Sequence, residues 1–238
     1  MQRGRLLWAG GGVFGVFVAC SPAPSPGGTA DAGDAGRDAK VTVVDGGDAG
    51  PICAPGPIGN FTSSWVPPKP ASSACTEKLI GDYAAACLDA KTRSGTACTA
   101  FGKANAACTS CLVTQEGSSA YGAAILRPNG VISLNVGGCI ALVSGDVSAN
   151  GCGAKYETNR QCAAASCDAN CPLPDGDDAA FSAYLKCLSD SSKSTCSTQA
   201  AAVCPEADAG ALTACQLGGA TFVDNFLALA PIFCASGG

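Results

Sequence analysis

The sequence predicts a mainly α protein in which small disulfide-laced helices form two lobes, with one β-hairpin at about residues 121–137 between them. Three observations carry this expectation. Sixteen cysteines run from Cys53 to Cys234, downstream of a separate Cys20. Several segments repeat apolar residues at helical period. One segment alternates apolar and polar residues around a turn signal.

Leu79, Ile80, Tyr83, Ala84 and Cys87 fall on one helical face, as do Phe222, Phe226 and Leu229. Phe181, Tyr184, Leu185 and Leu188 form a third such face, preceded by Asp177 and Asp178 as N-terminal charges. Less regular helices are expected over Thr96–Ala107, Cys152–Ser166 and Glu206–Gln216, where Gly and Thr lower the propensity. The hairpin is read from Ala123–Leu126, then Arg127-Pro128-Asn129-Gly130, then Val131–Val136, because Pro presets a turn and Asn-Gly tolerates positive φ. Its second strand should bury Ile132, Leu134 and Val136 and wet Ser133 and Asn135, with Gly137 and Gly138 turning the chain into Cys139. A lone hairpin is marginal in water, so it must pack on the helices. Tyr83-x-x-x-Cys87-Leu88 and Tyr184-x-x-Cys187-Leu188 are each followed by two more cysteines, Cys98 and Cys108 or Cys196 and Cys204. An old duplication and a chance likeness both account for that.

The body, residues 74–238, is long enough to bury roughly 70% of its unfolded surface. Its large side chains are nevertheless few, with five Phe, four Tyr and no Trp past residue 74. Ala-rich helices held by disulfides are the consistent solution. The sixteen candidates are Cys53, Cys75, Cys87, Cys98, Cys108, Cys111, Cys139, Cys152, Cys162, Cys167, Cys171, Cys187, Cys196, Cys204, Cys215 and Cys234. They allow on the order of two million pairings, so the spacing alone leaves the connectivity open.

Ahead of the body, Arg3 and Arg5 precede an apolar stretch, Leu6–Ala19, too short to span a bilayer. Residues 1–19 therefore read as an export signal. Phe17-Val18-Ala19-Cys20 resembles the lipobox of bacterial lipoproteins, in which cleavage precedes a cysteine whose thiol carries a diacylglycerol. Phe17 departs from the usual Leu, Val or Ile, and simple secretion is the rival reading. The resemblance implies a membrane partner, reached through acyl chains that each contribute about 0.8 kcal/mol per buried methylene. Ser21 lacks the aspartate of an inner-membrane retention signal, which favours the outer membrane. Gly10-x-Gly12-x-x-Gly15 matches a dinucleotide fingerprint, but it lies inside the signal with no βαβ unit around it.

Residues 20–50 are mostly Ala, Gly, Asp, Ser and Pro, a composition that cannot offset its ordering entropy and so reads as a tether. Residues 51–73 add five prolines between Pro55 and Pro70, with Trp65 and Cys53, and should be extended and docked where Cys53 finds a partner. Together they place the body on the order of 40 Å from the membrane. Asn60-Phe61-Thr62 matches a glycosylation acceptor, which chance explains.

Removing the signal leaves 12 basic and 19 acidic residues, and the chain contains no histidine. An acidic chain without a basic patch argues against nucleic acid as a partner. Without histidine, Ser-His-Asp and Cys-His catalysis are excluded, and neither Ser-x-x-Lys nor Gly-x-Ser-x-Gly occurs. No catalytic residue, cofactor site or metal site is therefore assigned. Paired carboxylates remain open, since Glu77, Glu116, Glu157 and Glu206 join ten body aspartates, though no spacing ties a pair together and each reads as a surface charge. Asp175-Gly-Asp177-Asp178 lacks the ligand spacing of a calcium loop and reads as helix capping. Cys108-x-x-Cys111 with Cys167-x-x-x-Cys171 approaches zinc spacing without histidine, and Cys108-Thr-Ser-Cys111 is a dithiol candidate, but disulfide structure accounts for both.

The Phe17–Cys20 segment, the Asp-Ala-Gly tether and the dense body cysteines together resemble the cysteine-rich lipoproteins of GC-rich, myxobacterial-type bacteria. That implies a cell-envelope address and no activity. The leading expectation is an exported, lipid-anchored envelope protein with a structural or binding body and an envelope protein or glycan as partner. The alternatives are a carboxylate-dependent envelope hydrolase and a dithiol oxidoreductase at Cys108 and Cys111.

Overall fold

The computed structural model describes residues 53–128, 131–171, 178–204 and 209–235. The signal, Cys20, Gly10-x-Gly12-x-x-Gly15 and the tether lie outside the described residues, as do Asn129-Gly130, Asp175–Asp177 and Glu206.

Helix α1, Glu77–Tyr83, begins where the Thr76 hydroxyl accepts from the Leu79 amide, and a π-helical turn over Ala84–Leu88 continues it. Of the predicted face, Ile80, Tyr83 and Ala84 are buried and Leu79 and Cys87 only half-buried, while Leu88, outside that prediction, is buried with them. Ser94 caps α2, Gly95–Ala104, and α3 follows over Ala106–Leu112. The single helix expected over Thr96–Ala107 is thus two, broken at Asn105, whose φ of −129° leaves the helical region.

Three short strands come next: β1, Val113–Gln115; β2, Ala124–Leu126; and β3, Ile132–Leu134. The hairpin β2–β3 is antiparallel, with Ile125 opposite Ser133, and β1 adds in parallel with Thr114 opposite Ile125. Strand β1 has no signature in the sequence, because three residues are too few to show a period. The facing of β3 is also the reverse of the expectation. Ser133 and Asn135 are buried while Ile132 and Leu134 are partly buried. The face that carries Thr114, Ser133 and Asn135 is the enclosed one, whereas the opposite face, with Gln115 exposed and Val113, Leu126, Ile132 and Leu134 half-buried, is only partly covered.

Val136 is not a strand residue, and Gly137 and Gly138 do not form a turn: all three open α4, Val136–Ser144. Asn135 makes this possible. Its Oδ1 accepts from the Gly138 amide at 2.9 Å and caps the helix, while its Nδ2 donates to the Gly122 carbonyl at 2.9 Å. Gly145, at φ +74°, ends α4 in the left-handed conformation.

The remaining helices among the described residues are α5, Cys152–Cys167; α6, Asp178–Lys193; α7, Ser197–Ala201; α8, Ala209–Ala214; and α9, Phe222–Cys234. Helix α9 starts in a capping box between Thr221 and Asp224 and supplies the centre of the core. Phe226, Leu229 and Phe233 are fully buried there, against α1, α3 and α4. Tyr83 lies between Phe101, edge-on at 5.5 Å, and Phe226 at 5.8 Å. A second, smaller cluster gathers Cys167, Cys171 and Cys187 with Cys53, Tyr184 and Leu188.

All sixteen cysteines from Cys53 to Cys234 are paired: Cys53–Cys171, Cys75–Cys108, Cys87–Cys98, Cys111–Cys234, Cys139–Cys215, Cys152–Cys204, Cys162–Cys196 and Cys167–Cys187. The lobes are therefore not successive halves of the chain. Helices α8 and α9 return to the first lobe, through Cys215 and Cys234, and α5 to α7 form the second. The pairing also gives the two Tyr-Cys-Leu segments different roles. Cys87 closes a local loop with Cys98, whereas Cys187 and Cys196 both reach back to α5.

Residues 53–73 run extended across both lobes. Cys53 bonds to Cys171, the Gly56 amide donates to the Ser166 carbonyl at 2.8 Å, and the Ser72 amide donates to the Phe233 carbonyl at 2.9 Å. Between these ends, Tyr121 and the strap exchange backbone bonds at Pro67 and Lys69.

Candidate functional site

The strap covers a cavity of about 200 Å³ that has three walls. The sheet makes the first. Side chains opposite one another across a sheet share a face, and so do residues two apart along a strand. Glu116, Arg127, Ile125 and Asn135 consequently project to one side, in register with Thr114 and Ser133, and the first four line the cavity. Helix α5 makes the second wall with Glu157, Arg160 and Gln161, whose i, i+3 and i+4 spacing puts them on one helical face. The strap supplies Ser64, Trp65 and Val66, and Tyr121 closes one end.

Each wall is tied to the next. The Ser64 amide donates to Gln161 Oε1 at 2.9 Å and Gln161 Nε2 donates to the Ser64 carbonyl at 2.8 Å, which pins the strap to α5. Trp65 Nε1 donates to the Val147 carbonyl at 3.0 Å, fixing the ring beyond the end of α4. Arg127 Nη1 donates to Glu116 Oε1 at 2.6 Å across the sheet. Arg160 donates from Nε to Glu157 Oε2 at 2.8 Å and from Nη2 to Oε1 at 2.5 Å, a two-pronged pair.

Glu157 and Arg160 are mostly enclosed, with 18% and 24% of their side chains exposed. Burial by itself would push the Glu157 carboxyl up, but the Arg160 charge and hydrogen bonds from Arg160 and Gln161 outweigh it and hold the group below its ordinary range. Burial likewise opposes the Arg160 charge, and the facing carboxylate more than offsets it. Both stay ionised at neutral pH. The expectation that each body glutamate is a solvated surface charge fails for Glu157, and it fails because Arg160 lies one helical turn away to neutralise it.

A carboxyl acting as general acid must keep a proton near neutral pH and have an oxygen free to deliver it. Glu157 does neither, since both its oxygens already accept from Arg160 and Gln161. The cavity combines fixed polar groups with three apolar side chains, Trp65, Val66 and Ile125.

The other sequence candidates lie elsewhere. Cys108 and Cys111 do not pair with each other; they bond Cys75 and Cys234, and both are buried. The sulfurs of Cys53, Cys171 and Cys187 come within 4.8 Å of one another, but each belongs to a disulfide and offers no thiolate to a metal. Glu77 opens α1 and is exposed. Glu116, Arg127, Glu157 and Arg160 were the residues missed as a group. The Glu157-x-x-Arg160-Gln161 spacing was a local signal for half of the site; its meeting with the sheet is tertiary.

No family model matches the chain, and comparison with curated proteins and with solved structures found no match.

Proposed function

We propose that the chain is exported, anchored by a lipid on Cys20, and presents its disulfide-stabilised body in the cell envelope as a non-enzymatic structural or binding element. The observation that carries this reading is the closed set of eight disulfides, which points to an oxidising compartment. Among the described residues no helix is long and apolar enough to cross a membrane; in this reading the lipid and the 20–50 tether supply the attachment. The outer membrane is the proposed site of that anchor, with an envelope protein or glycan as the partner.

The test is expression in a lipoprotein-processing bacterium with labelled palmitate. Label should enter the wild-type chain, which fractionates with membranes, and Cys20→Ala should lose the label and leave the membrane fraction. A labelled C20A protein, or a body recovered with free thiols, would contradict the anchor or the compartment respectively. Turnover of envelope glycan or peptide that disappears in Glu116→Gln would instead support the carboxylate hydrolase.

A further inference from the structure

We propose that the cavity between the strap, the sheet and α5 binds a small organic monocarboxylate, which its two arginines hold by the carboxylate group. This rests on the binding reading of the body and on nothing about its anchor.

Arg160 directs Nε and Nη2 at Glu157, and Arg127 directs Nη1 at Glu116. Among the described residues no acceptor meets Arg160 Nη1, Arg127 Nε or Arg127 Nη2. The acceptors of the same cavity are almost all taken. Both Glu157 oxygens are occupied, Gln161 Oε1 accepts from Ser64, and Asn135 Oδ1 caps α4. A walled cavity with unused guanidinium donors and few unused acceptors is complementary to an anion.

Charge and shape narrow the class. Two arginines and two glutamates sum to zero, so one added negative charge is tolerated where a second would sit against Glu116 and Glu157. The planar guanidinium matches a planar carboxylate with two parallel N–H···O bonds. Next to the arginines stand Trp65, Val66 and Ile125 for a ligand's carbon frame. The Tyr121 hydroxyl accepts from the Gly117 amide at 3.3 Å and keeps its own proton to donate, and Glu116 Oε2 accepts no protein hydrogen bond among the described residues. These two groups would take a hydroxyl or an amide N–H beside the carboxylate. At about 200 Å³ the space suits a ligand the size of one sugar or one amino acid. An acidic sugar and an acylated amino acid share the required chemistry.

The test is calorimetric titration of the full chain, disulfides intact, with glucuronate, N-acetylalanine, their neutral counterparts glucose and N-acetylalanine methylamide, and inorganic phosphate. At least one carboxylate should bind saturably with one site per chain at millimolar concentration, at least tenfold tighter than its neutral counterpart and than phosphate. Which of the two binds identifies the source. Arg127→Gln, whose partner Glu116 is solvent-accessible, should weaken binding tenfold or more with unchanged circular dichroism. Because Arg160→Gln alone strands Glu157, the second variant is the charge-neutral double Glu157→Gln/Arg160→Gln, with the same loss expected. No saturable heat from either carboxylate, equal affinity for the neutral counterpart or for phosphate, or wild-type binding by a folded variant would each overturn the proposal. None of these outcomes bears on palmitate labelling at Cys20, so failure here is distinguishable from failure of the anchored-body reading.

Discussion

Gly137 of α4 and Gly153 of α5 meet backbone to backbone: a Cβ on Gly153 would lie 2.2 Å from the Gly137 carbonyl oxygen, and one on Gly137 would lie 2.8 Å from the Gly153 carbonyl. The contact also sits under the cavity, since the same Cβ on Gly137 would approach Glu157 Cβ at 3.2 Å and Trp65 Cζ3 at 3.5 Å. Gly137→Ala and Gly153→Ala should each destabilise by about 1–3 kcal/mol, because backbone cannot yield as a flexible side chain can. Denaturant unfolding with disulfides intact checks this. A midpoint equal to wild type for both variants would mean that the helices are free to separate.

Glu157 and Arg160 should behave as a unit. Arg160→Met leaves an enclosed carboxylate without its counter-charge and should cost about 3–5 kcal/mol, whereas adding Glu157→Gln to it should recover much of that loss. The pair also sets an acid limb. The folded-state value of Glu157 lies below its ordinary 4.5, so its stabilisation is complete above that value and disappears as pH falls through the depressed one. Wild type should therefore lose more stability than Glu157→Gln between pH 5 and pH 2, on the order of the Glu157 linkage alone. Parallel acid-unfolding curves for the two proteins would contradict the assignment.

Tyr83 offers the corresponding test at the alkaline end. Burial pushes its hydroxyl up from 10 to about 12, so the folded state keeps a proton that the unfolded chain releases. Stability from this group is complete below pH 10 and is lost as pH rises through 12. Phe226→Ala removes a ring 5.8 Å from Tyr83 and should cost about 3–5 kcal/mol, while bringing the tyrosinate absorbance of Tyr83 to lower pH. An unchanged tyrosinate titration in a folded Phe226→Ala protein would show that Phe226 does not shield it.

The elements legible in the sequence were those with enough residues to show a period. Phe222, Phe226 and Leu229 announce α9, and Ile80 with Tyr83 announces α1, because one face of each meets a single core. Helix α4 was illegible for the opposite reason. With Gly137, Gly138, Cys139, Ile140 and Ala141 all buried it is apolar nearly all round, and its paired glycines mimic a turn until α5 is seen lying against them. Ser133 of β3 and Asn135 just beyond it carry the alternation of a solvent-facing row, but that row faces the covered polar cavity side. The candidate site was hidden because its halves are 41 residues apart, from Glu116 to Glu157, and only the hairpin register and the strap bring them together.

The strap should detach in parts, because its contacts are of two kinds. Cys53–Cys171 and the Gly56 bond to Ser166 hold its first residues on the second lobe, while the Ser64–Gln161 and Tyr121–Pro67 bonds hold the cavity wall independently. A single Cys53→Ser substitution is unsuitable, since the freed Cys171 thiol would lie within 4.8 Å of the Cys187 sulfur and could exchange into the Cys167–Cys187 bond. The double variant Cys53→Ser/Cys171→Ser removes both. It should cost about 2–4 kcal/mol of global stability. Hydrogen exchange should then accelerate at the Gly56 amide while the Lys69 and Tyr121 amides keep their protection, because local opening follows the contacts actually lost. Loss of protection at all three amides would show instead that the disulfide holds the entire strap, and with it the roof of the cavity, in place.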